Sequence, residues 1–160
     1  MPDTDRIIRK ALLEFLRGGS AHAGIDDAVK EFPPALYGKK PAHSPHSAWQ
    51  LLEHIRITLD DLLDFCTNPE YQERKWPDTY WPENDAPEPA DSWNKSVKGL
   101  KSSLKEMEKL LDDPNVDLYS KIPWGKDQTI LREVLLAGDH TSYHVGQLIL
   151  LRKQLGAWNS

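Results

Sequence analysis

Apolar residues recur at helical spacing in four long stretches of this chain, and proline, glycine or capping residues mark the intervals between them. Ile7, Ile8, Ala11, Leu12, Phe15 and Leu16 share one face of a helix predicted over residues 4–17, stopped by Gly18-Gly19. A shorter helical piece over 23–32 carries Ile25, Ala28, Val29 and Phe32, and Pro33-Pro34 ends it. Ser44-Pro45 reads as a helix start, because serine caps free N–H groups and proline suits the first helical position, so a second long helix is predicted over 45–67. Its stripe is Trp49, Leu51, Leu52, Ile55, Leu59, Leu62, Leu63 and Cys66, with His54 off the centre.

The third long helix, predicted from a cap at Asp91 or Ser92 to residue 112, buries Trp93, Val97, Leu100, Leu104, Met107, Leu110 and Leu111. The fourth runs from a Thr129 cap to residue 155, with Gly156 placed for a left-handed C-cap. It is apolar on most of its circumference, which predicts a central position. Residues 71–90 cannot form a regular element of any length, since Pro69, Pro77, Pro82, Pro87 and Pro89 crowd that stretch and its border. Trp76, Tyr80 and Trp81 make this segment either a linker with a few anchoring rings or a flap packed over the bundle end. Four long helices without an internal repeat predict one all-α domain over residues 1–160, a four-helix bundle with a long loop and a short accessory helix.

Charge and composition narrow the function classes. The 20 Lys and Arg are scattered among 25 Asp and Glu, for a net charge of −5, which argues against a large nucleic-acid footprint. The N-terminal residues contain no apolar leader, and no window approaches 18 uninterrupted apolar residues, so the expectation is a cytoplasmic protein without membrane contact. Cys66 is the single cysteine, which excludes an intramolecular disulfide and a cysteine-based zinc cluster.

The candidate chemistry lies in the fourth long helix. His140 and His144 are four residues apart, about one turn or 5.4 Å of rise, and therefore share a face. That stripe, with Glu133 and Gln147, interrupts an otherwise apolar surface. A buried neutral imidazole must satisfy one donor and one acceptor nitrogen, and either a metal ion or hydrogen-bonding neighbours can do so. His54 is the other histidine inside a predicted core helix, and packing of the second long helix beside the fourth would make it the third ligand of an open divalent site. His46 is excluded from the ion that His54 binds, because eight helical residues span about 12 Å; His22 and His43 fall in turns and read as surface residues. Thr141 follows the first histidine where a zincin needs glutamate, and the paired Glu-x-x-His motifs of di-iron bundles are missing. Three neutral nitrogens would leave a Lewis-acid site able to activate water or a thiol.

Residues 44–55 (SPHSAWQLLEHI) and 123–158, above all LREVLLAGDHTSYHVGQL, resemble the DinB-like (YfiT-like) superfamily of bundle metalloproteins. The resemblance implies a four-helix bundle with a crossover connection, commonly a homodimer, and a metal held by His54, His140 and His144. Relatives of that kind include transferases and isomerases that use low-molecular-weight thiols. The first expectation is therefore a divalent-metal enzyme, a thiol-dependent transferase or a hydrolase acting on a small molecule, with Gln147 and Asp139 assisting from beside the ligands. Zinc or nickel leads for the ion, and Fe(II) or cobalt also suits three imidazoles. The alternatives are a non-catalytic metal- or ligand-binding stress-response protein and a plain dimeric bundle with structural histidines.

Overall fold

The computed structural model describes residues 3–158. Within them the helices are α1 (Asp3–Arg17), α2 (Ile25–Val29), α3 (Ala48–Thr67), α4 (Ser92–Asp112) and α5 (Ile130–Gln154), with a 3-10 turn at Pro34–Leu36. α3 packs against α4 on one side and α5 on the other, α1 closes the ring against α4 and α5, and α2 lies on α5. The architecture is the all-α four-helix bundle that the apolar periodicity predicts. Leu12 and Leu16 of α1, Leu52, Ile55 and Leu59 of α3, Leu100, Met107 and Leu111 of α4, and Val134 and Leu148 of α5 are buried together in its core. No helix among the described residues is long and apolar enough to cross a membrane.

Helix direction follows from the polar contacts at the seams. Ser96 donates to Glu53 and Ser103 donates to Asp60, each pair 43 residues apart. A constant separation along two helices means that they run parallel. Residues 68–91 must therefore return along the bundle before α4 can begin, which accounts for their length. Arg56 bridges Glu53 and Asp60 on the same seam, and Gly99 makes room for it, since a Cβ there would stand 3.2 Å from Arg56 Cδ.

One helix start and one cap differ from the sequence expectation. α3 begins at Ala48, not residue 45, because Ser47 forms the capping box: its Oγ accepts from Gln50 N at 3.1 Å and its own N–H donates to Gln50 Oε1 at 3.1 Å. Ser44 is engaged elsewhere, donating to the His46 carbonyl at 2.7 Å. Asp91 precedes α4 without bonding a helix N–H, and instead pairs with Lys95 at 2.7 Å. The short second helix is confined to five residues. α5 is also less enclosed than its composition suggests, since Leu135, Tyr143 and Leu150 are exposed along one side.

Two buried arginines tie the connections to the bundle. Arg9 pairs with Asp5 at 2.9 Å and donates to the carbonyls of Leu111, Asp113 and Val116, so it closes the C-terminal end of α4. Arg152 donates to the carbonyls of Asp27, Ala28 and Ala157, and its guanidinium lies over the Phe32 ring. Replacing Arg9 by methionine leaves several buried carbonyls without a donor, a loss of about 2–3 kcal/mol. Urea denaturation of Arg9→Met should show that decrease; an unchanged midpoint would contradict the capping role.

Candidate metal centre

α3 and α5 run antiparallel, so the turn of α3 that carries His54 faces the turns of α5 that carry His140 and His144. One ligand atom from each of the three histidines lies within 4.8 Å of the others. His54 Nε2 and His140 Nε2 are 3.0 Å apart. This places the three residues singled out from the sequence in one cluster, at the spacing needed to share an ion.

Hydrogen bonds fix which nitrogens face inward. His54 Nδ1 donates to the Tyr80 carbonyl at 2.8 Å, and His144 Nδ1 donates to Gln147 Oε1 at 2.8 Å. Each ring with its proton on Nδ1 presents an unprotonated Nε2 to the cluster, the tautomer required of a metal ligand. His54 is 1% exposed and His144 8%. Burial, with smaller contributions from His144 and His46, pushes His54 down to about 4. Burial and then the two neighbouring histidines push His140 down to about 3, and burial lowers His144 as well.

Gln147 is thus joined to a histidine of the cluster. Asp139 is not: it is exposed on α5, and no hydrogen bond among the described residues joins it to any of the three rings. Glu133 is buried and holds Arg132 at 2.8 Å, two turns from His140. Cys66 is buried too, and burial followed by the charge of Glu133 pushes its thiol up to about 12, so it stays protonated. His22 and His43 are both exposed.

Residues 71–90 supply what the sequence reading did not assign. The Trp81 ring lies flat on His54, 3.8 Å between centroids and 5° between planes, and flat on His46 at 3.9 Å and 11°. His46 is therefore part of the centre's surroundings without being in the ligand set, and it precedes α3 instead of lying on it. Asp61, two turns after His54, accepts from Tyr80 Oη at 2.5 Å and Tyr71 Oη at 3.1 Å. The crossover is held at its far side by Ser47 Oγ, which donates to the Asp85 carbonyl at 2.5 Å, and by Lys40 on Asp85 at 2.6 Å. A Cβ on Gly38 would lie 2.7 Å from Ala86 Cβ, so glycine permits that close approach. Trp76, Tyr80 and Trp81 were visible as rings in a proline-rich loop; the contact of Tyr80 and Trp81 with His54 depends on a long-range turn that no local spacing encodes.

Residues 20–148 match the family model of the DinB superfamily. The chain belongs to the DinB superfamily. No curated protein and no solved structure matches it. Family membership and the three-histidine cluster together are compatible with a metal-binding protein, and the donor set fits a divalent ion: three neutral imidazole nitrogens, two of them oriented by hydrogen bonds at Nδ1.

The sign of the pH dependence follows from the depressed histidines. In metal-free protein the folded state holds these rings neutral, whereas the unfolded chain binds protons near the ordinary value of 6.5. Their contribution is fully present above that value and is lost as pH falls through it toward about 4 and about 3. Urea midpoints measured with chelator should fall between about pH 7.5 and about pH 5, and His140→Gln should flatten that slope. An equal slope in the variant would contradict the assignment.

Proposed function

We propose that this protein is a divalent-metal-dependent enzyme whose ion is held by His54, His140 and His144, and that it acts as a thiol-dependent transferase or a hydrolase on a small molecule. The observation that carries the reading is the pair of Nδ1 anchors, Tyr80 carbonyl and Gln147 Oε1, which turn two buried Nε2 lone pairs toward a third imidazole. Zinc or nickel is the first choice, with Fe(II) or cobalt compatible with the same ligands.

A bound divalent ion at three neutral ligands supplies Lewis acidity, lowering the pKa of a coordinated water or thiol. The residues around it do the rest. Tyr80 and Gln147 hold the imidazole orientations, and the flat Trp81 ring shields one face of His54 from water. Cys66 is set apart as a buried, protonated thiol, so a thiol reaction here uses a thiol from outside the chain. Asp139 lies in solvent and is assigned no step. A homodimer accords with the exposed Leu135 and Tyr143 of α5 and with the family resemblance.

The second reading, a metal- or ligand-binding stress-response protein without turnover, draws on the absence, among the described residues, of a carboxylate hydrogen-bonded to any of the three rings. Protein purified without a nickel column should carry about one equivalent of divalent metal, lost in His54→Ala and in His144→Ala. Gln147→Leu should weaken metal affinity about 10-fold while keeping the stoichiometry. Metal content indifferent to both alanine variants would remove the centre. Metal-dependent consumption of an electrophile with a thiol, or of an ester or amide with water, supports the enzyme; inactivity across both panels with metal bound establishes the binder.

A further inference from the structure

A cavity of about 300 Å³ lies between the 42–46 segment and the C-terminal half of α5; none of the three cluster histidines lines it, and it is joined to them through their neighbours. It shares two residues with the centre. Gln147, the partner of His144 Nδ1, forms part of one wall, and His46, stacked on the same Trp81 ring as His54, forms part of another. The remaining surface is mainly apolar, with Pro45, Leu51, Leu150 and Leu151 among the lining residues.

The charge of the lining is the informative property. No lysine, arginine, aspartate or glutamate borders this cavity. A second cavity, of about 360 Å³, lies farther along the α3–α5 seam and is bordered by Asp61, Glu73, Lys126, Arg132 and Glu133. The protein thus has a charged recess away from the centre and an uncharged one beside it. An ionised group entering the uncharged recess would lose hydration with no opposite charge to replace it, a penalty that a neutral apolar body does not meet. The volume is at the lower end of small-molecule sites, enough for one ring or a short alkyl chain.

We infer that this cavity is the subsite for the substrate's body, and that the body is uncharged and largely apolar, of the size of a single ring. The inference rests on the metal-centre reading, because it assigns the reactive end of the same molecule to the ion and the unreactive end to the recess. The side-chain amides of Gln147 and Gln154, the Ser44 hydroxyl and the His43 and His46 imidazoles are the hydrogen-bonding groups in the wall, so a hydroxyl or amide on the body is accommodated.

Three probes of one ring size test it: benzyl alcohol, benzenesulfonate and benzyltrimethylammonium, which are neutral, anionic and cationic and are poor metal ligands. Each is titrated into full-length protein, zinc-loaded and chelator-treated, with amide NMR shifts reporting the location. Benzyl alcohol should shift the amides of 42–46 and 147–154 in both forms and, in the chelator-treated form, bind at least about five-fold more tightly than either ion. Leu150→Glu, a change at an exposed wall residue, should weaken benzyl alcohol at least about five-fold and leave zinc stoichiometry unchanged. Equal binding of a charged probe to the chelator-treated protein, or benzyl alcohol shifts confined elsewhere, overturns the subsite. Zinc binding is read in the same samples, so loss of the metal centre with intact probe binding is distinguished from loss of the subsite with intact metal.

Discussion

The structure turns on the problem of keeping three imidazoles together in a dry place. Protonating any of them would put a positive charge where burial has removed the water that would stabilise it, so His54 and His140 are held far below the ordinary histidine value. Neutral rings create the opposite problem, since lone pairs gathered within 4.8 Å of one another need a shared electron-pair acceptor. The hydrogen bond between His140 and His54 satisfies part of that demand, and a divalent ion would satisfy all of it. The rest of the fold serves to prevent the rings from turning away.

That restraint comes from the connection between α3 and α4. The parallel register set by Ser96 on Glu53 and Ser103 on Asp60 forces the chain to return along the bundle. The returning segment passes over the cluster, where the Tyr80 carbonyl takes the His54 proton and Trp81 covers the ring. Asp61 then holds the Tyr80 hydroxyl, so one α3 helix anchors the segment that orients its own histidine. Burial and the nearby Asp61 carboxylate push the Tyr71 hydroxyl up to about 12, which keeps it a donor to that carboxylate. The polar seam and the histidine site are in this sense one construction: the first decides where the crossover travels, and the second uses its arrival.

How much of this could be read from residues alone depends on whether the signal was local. Apolar periodicity located all four long helices, and His140 and His144 announced their shared face through their spacing. His54 was legible as an interruption of an apolar helix, although its pairing with α5 required a packing assumption that the fold supplies. The start of α3 was misplaced by the familiar Ser-Pro signal at Ser44, because Ser47 forms a complete box with Gln50 whereas Ser44 bonds within its own turn. His46 was set aside on helical spacing, and the structure removes the premise: it precedes the helix and reaches the centre through Trp81. Asp139, next to His140 in sequence, is carried by the 100° turn to an exposed position on α5.

Taken together, the cluster and the cavity suggest a division of recognition between two kinds of physics. Three neutral ligands would not reduce the charge of a bound divalent ion, so an open position on it would favour an anion such as a thiolate or a carboxylate. The adjoining recess has no ionised side chain with which to compete for that charge and discriminates by shape and desolvation. Such an arrangement orients a molecule that is anionic at one end and apolar at the other without a salt bridge from the protein.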